Sequence, residues 1–505
     1  MRIRDVHTPA ELQAAAREAR PGDRIRIAPG RYAVPTDVIG RKGRPDAPIV
    51  FEPLSKGVIS GGRVPNFQDG RGLPFENGPG NPGWHDFAFL RFQGCEHIEV
   101  RALEVEGCWP TIIYLRACAH VVLSGLRLRH GTNAIFARDC RDILCQKNRW
   151  QQDDSRKHDL WHTIDWLEAH GGDGGNGTKR HFNGSFFAAK STSAVTIRKN
   201  RIADCYNGIR MKVDAPPTGG DPALNAHVRI LDNDFIRVRD NPIEAEVYAY
   251  DWHVAWNRIV DAHAWFSFDG CQGGFFYIYG NTARFETRQG EPIANSHTMG
   301  RVLKLSYRLA GATVQYGAAV PHYPWYVFNN SFVLRCPIVG GGAERLPKPP
   351  NTGIGPDFTA HLNFINNAFE WCSQEVGIWI CEWIEMLRNF ETHADDGVRF
   401  DASLTNRQDY IDQARSLEAG EGAALHTAAP LFAKPAKGDF ALVADSPGRG
   451  SAELAALAAP NGETYAIKPN ADGSLHRGAM QDYGLVRLVG RGLDNAETPA
   501  GKGTV

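Results

Sequence analysis

Two charged pairs, one repeat apart, are the residues best placed to do chemistry. Asn207-Gly-Ile-Arg210-Met-Lys212-Val-Asp214 is followed by Asn241-Pro-Ile-Glu244-Ala-Glu246-Val-Tyr248. Alternation with period two sends Ile209, Met211 and Val213 inward, and Arg210 and Lys212 outward. Glu244 and Glu246 take the same outward positions in the next copy. Parallel strands stack about 4.8 Å apart, so Arg210 is expected to face Glu244, and Lys212 to face Glu246. Lys304, in a later copy, joins them. Such cations neutralise a carboxylate next to an acidic carbon, and a desolvated lysine can take the proton. Tyr248, Tyr250 and His253 are candidates for base or proton donor. Glu244, Glu246 and Asp214 offer the oxygen ligands that Ca²⁺ prefers. The competing reading is a salt-bridge ladder on a solvated face, where each pair contributes only about 0–1 kcal/mol.

The strand carrying these residues belongs to a repeat. Asn148, Asn200, Asn233, Asn257, Asn281, Asn330 and Asn367 each close a short alternating segment, and two of the steps are 24 residues. Upstream, Cys95, Cys118 and Cys140 recur at 23 and 22 residues, each before a similar string. Short strands in such units must stack on their counterparts in the next unit. The expected fold is all-β, a single right-handed parallel β-helix. Each asparagine amide bridges successive turns, and the cysteines are buried and free. Thr8-Pro9-Ala10-Glu11 is a capping box with proline at the first helical position. It opens a short helix that covers the first rung.

The β-helix is expected over residues 1–372, with a mixed helical and stranded extension over 373–505. Segments 376–390 and 406–417 have helical spacing. Insertions near 151–182, 214–226, 284–323 and 340–358 should wall a groove beside the charged strand, because solenoid insertions gather on one face.

Charge narrows the partners. Lys+Arg 56 against Asp+Glu 57 gives a net charge of −1, which provides no global field for nucleic acid or an anionic membrane. No apolar run is long enough to span a bilayer. The N-terminus lacks the apolar core of a signal peptide. A periplasmic or secreted location therefore requires that a signal was removed; otherwise the protein is cytoplasmic.

PGDRIRIAPGRY near the start, the Asn-Asn-Ser-Phe turn, and the PLF…GDF…SPGRGSA ending resemble secreted bacterial right-handed β-helix proteins that act on polysaccharides. Glu244-Ala-Glu246 resembles the calcium-binding acidic pair of the chondroitin B and alginate lyase group. In that group a lysine base follows shortly; here Asp251 stands at the corresponding place, and Lys212 is the nearest substitute. A shorter echo of the β-helical polygalacturonases joins Gln152-Asp-Asp154, Ala169-His170-Gly171 and Ile209-Arg-Met-Lys212.

The resemblance implies a polysaccharide substrate and, in first place, β-elimination of a uronate polymer. Hydrolysis by a Glu/Asp pair, C5 epimerisation and non-catalytic carbohydrate binding are the alternatives. Trp252, Tyr250 and Phe268 are the expected sugar-stacking residues, with His170 and Arg138 completing the binding set.

Overall fold

The computed structural model describes residues 1–62, 88–152, 161, 164, 169, 180–214, 224–268, 271–285, 301–304, 323–335, 337–340, 362–372, 398–416, 420, 422–452, 455–460, 462–468, 475–479 and 487–489. The chain winds into a right-handed parallel β-helix. One rung shows the plan. Asn133–Arg138 lies on the first face (sheet C), Arg141–Gln146 on the second (sheet A) and Arg149–Gln151 on the third (sheet B). Among the described residues, sheets A and B each hold thirteen strands and sheet C ten. Each of these strands pairs in parallel with its counterpart one rung away.

The turns explain why the coil is regular. The residue before each repeat asparagine sits in the left-handed region: Lys147, Lys199, Asp232 and Trp256 have φ of 57°, 55°, 55° and 59°. A non-glycine residue there costs roughly 1–2 kcal/mol. The asparagine that follows offsets this. Its Oδ1 accepts from the backbone N–H of the previous asparagine, as in Asn148 to Asn200 at 2.9 Å, Asn200 to Asn233 at 3.0 Å and Asn233 to Asn257 at 3.0 Å. Its Nδ2 donates to a backbone carbonyl of the previous rung, as Asn233 does to Ile197 at 3.0 Å. All seven asparagines are buried, so the ladder supplies partners that water cannot. Cys95, Cys118 and Cys140 occupy the turn from sheet C to sheet A, buried and unbridged. Thr192 takes that slot on the next rung and accepts from the Cys140 N–H at 3.3 Å.

Both ends are closed. The helix Pro9–Arg17 carries the expected capping box, with Leu12, Ala15 and Ala16 buried. At the far end the ladder does not stop at 372. Val398–Asp401 adds to sheet A, and Leu404–Thr405 and Leu425–His426 add to sheet B. The helix Gln408–Ser416 then buries Tyr410, Ile411 and Ala414 against the last rungs, close to Phe369 and Phe400. An antiparallel sheet of Ala456–Ala458, Thr464–Lys468 and Arg487–Val489 lies on the outside of sheet A. There the Tyr277 hydroxyl donates to the Ala458 carbonyl, and the Tyr326 hydroxyl accepts from the Ala458 N–H. The expected helix at 376–390 and most of the four insertions lie outside the described residues. Among the described residues no helix is long and apolar enough to cross a membrane.

Asn233→Ala removes four ladder hydrogen bonds and leaves the buried Asn200 N–H without an acceptor. Denaturant titration should show a loss of about 1–3 kcal/mol per unpaired group. An unchanged midpoint would mean that the ladder contributes nothing to stability.

Candidate functional site

Sheet C brings the charged residues together. Arg210 pairs in register with Glu244, and Lys212 with Glu246, on strands Asn207–Lys212 and Ile243–Glu246. Ser267 follows Glu244 on the next rung, and Lys304 follows Ser267. Inward Ile209, Met211, Ile243 and Ala245 are fully buried and hold both strands to the core.

The side chains do not pair straight across. Arg210 reaches diagonally, with Nε 2.9 Å and Nη2 2.5 Å from Glu246 Oε1. Its Nε is also 3.4 Å from Glu244 Oε2. Lys212 Nζ is 4.0 Å from Glu246 Oε2. Access differs sharply within the cluster: the side chains of Lys212, Arg210, Glu246 and Glu244 are 33%, 29%, 18% and 6% exposed.

Burial and charge push the two glutamates apart. Desolvation, with Glu246 and Asp240 nearby, pushes the Glu244 carboxyl up to about 8 despite Arg210. Burial also opposes ionisation of Glu246. There Arg210 and Lys212 outweigh it, together with a hydrogen bond to Glu244, and Glu246 stays below the usual carboxylate range. Burial works against the Arg210 charge too, but Glu246 and Glu244 raise its pKa further. At neutral pH Glu244 keeps its proton while Glu246 is ionised. Two carboxyls with separated pKa values mark acid and base assignments where they line a site.

The calcium expectation meets an obstacle. Glu246 is taken by Arg210 and Lys212, and Glu244 is protonated. Asp214 is held by Lys190 at 3.2 Å and Arg138 at 3.3 Å. No three His, Cys, Asp or Glu residues among those described are set to hold a metal ion. As arranged, these groups do not fit Ca²⁺.

Several expected site residues lie elsewhere. Val247, at φ 70°, turns the chain directly after Glu246. Tyr248, Tyr250, Trp252 and His253 therefore belong to Tyr248–Ala255 on sheet A, around the corner from the charged cluster. Trp252 points into the core, its Nε1 donating to the Asn225 carbonyl at 2.9 Å. Phe268 is also interior, stacked 4.8 Å from Phe276. Neither can stack on a sugar. Tyr248 is fully buried beside Val213 and Tyr277. Tyr250 packs edge-on against Phe275 and Tyr323. His253 stacks on Tyr277 at 4.5 Å beneath Tyr465, and burial with Arg229 pushes it down to about 4. Asp251, beside His253, is held ionised against burial by hydrogen bonds from His227 and His253 and by Arg229. His170 lies outside the described residues.

Two basic residues escaped the sequence reading. Arg116, Arg138, Lys190 and Lys212 occupy one slot on four successive rungs of sheet C. Their signal was present: TIIYLR, NAIFAR, SFFAAK and NGIRMK all end on a basic residue. Lys304, for its part, reaches Asp240 at 4.0 Å, with both side chains buried.

No protein-family model matches this chain, and no curated protein matches it. Among solved structures it is similar to a mannuronic-acid-specific polysaccharide family 6 lyase from human gut microbiota (12% identity, 85% of this chain and 92% of that one, TM-score 0.42). It is also similar to a PL6-family alginate lyase (12% identity, 92% and 55%, TM-score 0.40). A third is an endo-xylogalacturonan hydrolase from Aspergillus tubingensis (8% identity, 85% and 100%, TM-score 0.39). Likeness at this level assigns no activity to the chain.

Glu244 gives a pH signature. Its folded pKa lies above the unfolded value near 4.5, so the folded state binds more protons between those values. Stability therefore falls as pH rises through that window. Glu244→Gln should flatten this part of the stability profile in denaturant titrations between pH 5 and 8. An unaltered slope would show that Glu244 ionises normally.

Proposed function

We propose that the protein cleaves a uronate-containing polysaccharide by β-elimination over sheet C. The observation that carries this reading is a buried Glu244 carboxyl 3.4 Å from Arg210, with the partly exposed Arg210 and Lys212 beside it; burial raises the Glu244 pKa. Elimination needs a cation to bind the uronate carboxylate, a base for the C5 proton and an acid for the leaving oxygen. Arg210, its charge sustained by Glu246, binds the carboxylate and makes the C5 proton more acidic. Lys212, the most exposed member and charged in the resting protein, must first give up its own proton to serve as the base for C5. The C5–H electrons form the C4–C5 double bond, the C4–O bond breaks, and Glu244 gives its proton to the departing oxygen. Glu246 keeps Arg210 oriented. No metal is needed for the charge balance.

The same pair supports elimination over hydrolysis. Glu244 and Glu246 share Arg210, whose Nε lies 2.9 Å from Glu246 Oε1 and 3.4 Å from Glu244 Oε2. Carboxyls that flank a glycosidic bond stand about 5–5.5 Å apart for retention and more for inversion. A substrate of this class implies a periplasmic or extracellular setting.

Incubation with polymannuronate, polyguluronate, polygalacturonate and glycosaminoglycans tests the proposal. One of them should yield the ultraviolet absorbance of an unsaturated uronate. New reducing ends without that absorbance would replace elimination by hydrolysis, and epimerised but uncut polymer would point to proton exchange at C5 alone. Lys212→Ala should lower kcat about 10²–10⁴-fold, the usual worth of one acid–base group, with thermal unfolding unchanged. EDTA should leave turnover intact; loss rescued by Ca²⁺ would mean that a cation displaces Arg210.

A further inference from the structure

Sheet B carries a cationic concavity that the sheet C chemistry does not use. Arg127, Arg149 and Arg201 occupy one outward slot on three successive rungs, in register. Glu104 precedes this row and Asp234 follows it. Arg129 and Arg237 flank it, and together these residues border an open cavity of about 280 Å³.

The acids do not balance the row. Glu104 lies 3.8 Å from Arg127 and 3.5 Å from Arg129. Asp204 is held by Arg237 at 2.5 and 2.8 Å. Asp234 pairs with Arg258 at 2.8 Å. Arg149 and Arg201 are exposed, and among the described residues no carboxylate lies within ion-pair distance of either. Like charges directly opposite one another across a ladder destabilise a sheet. A folded chain of net charge −1 thus concentrates uncompensated arginines on one face.

We infer that this concavity is a second binding site, for an acidic polysaccharide chain laid along the helix axis. The register argues for a polymer with regularly spaced anions. Arginines recur at the strand spacing of ~4.8 Å, and an extended pyranose chain advances by about that distance per sugar. Each planar guanidinium can take a carboxylate through two parallel N–H donors. The row ends at acids on both sides, so it spans about three sugar units. Sheets B and C are different faces of the coil, so a long chain held on sheet B keeps its remainder close to the sheet C cluster. The inference shares its ligand class with the proposed elimination but does not depend on catalysis.

Calorimetry with a ten-sugar polygalacturonate oligomer tests it, using Lys212→Ala protein as host so that sheet C binding is weakened. Adding Arg149→Ala and Arg201→Ala should weaken binding at least tenfold and reduce its salt dependence. Thermal unfolding should stay level or rise, because like charges are relieved. In the otherwise unaltered protein, the two substitutions should raise KM for long polymer and leave turnover of short oligomers unchanged. Unchanged affinity in the host would overturn the site. Inorganic sulfate binding as tightly as the oligomer would overturn the polymer assignment, as would tighter binding of single-stranded DNA of equal charge.

Discussion

The in-register stacking of rungs is the constraint on which the rest of this protein depends. Backbone pairing between identical positions fixes each strand over its counterpart, and the buried asparagine ladder fixes the turn that follows. Once register is set, every outward slot becomes a column of side chains at constant spacing. A charge placed in one rung meets whatever its neighbours carry. Function in such a fold is written in columns, and a column has no counterpart in the linear chain except as a periodicity.

The cluster on sheet C shows what a column does to acidity. Glu244 and Glu246 are two residues apart and chemically identical, yet one keeps a proton and the other is held ionised. The difference lies in Arg210. It leans toward Glu246 and away from its directly opposed partner. Glu246 takes the Arg210 hydrogen bonds and the Lys212 charge, while at Glu244 burial outweighs Arg210 at 3.4 Å and Lys304. A buried carboxyl with a raised pKa beside one with a lowered pKa is a poised proton source, and the partly exposed cations beside them are where the proposed anionic substrate enters.

Sheet A illustrates the opposite use of a column. His253, Tyr277 and Tyr326 stack one above the next, and the C-terminal strands lie across them. Of these, His253 looked like a site residue because it follows Glu246 closely. All three are instead the seat for the chain's own tail, which covers an otherwise exposed aromatic face.

Much of this was legible in the linear chain. The asparagine spacing, the capping box and the period-two alternation determined the parallel β-helix, the helical cap, the free cysteines and the opposition of Arg210 to Glu244 and Lys212 to Glu246. Each of these follows from local periodicity, which stacking repeats without change. What only the tertiary structure decided was where the coil turns corners and how long side chains lean. One left-handed residue, Val247, moves Tyr248, Tyr250, Trp252 and His253 to another face, and alternation alone cannot show a corner. The diagonal reach of Arg210, and with it the split between Glu244 and Glu246, depends on side-chain packing and desolvation in three dimensions. Columns such as Arg116 to Lys212, or Arg127 to Arg201, were present in the letters but acquire meaning only when the rungs are stacked, because charge acts through space.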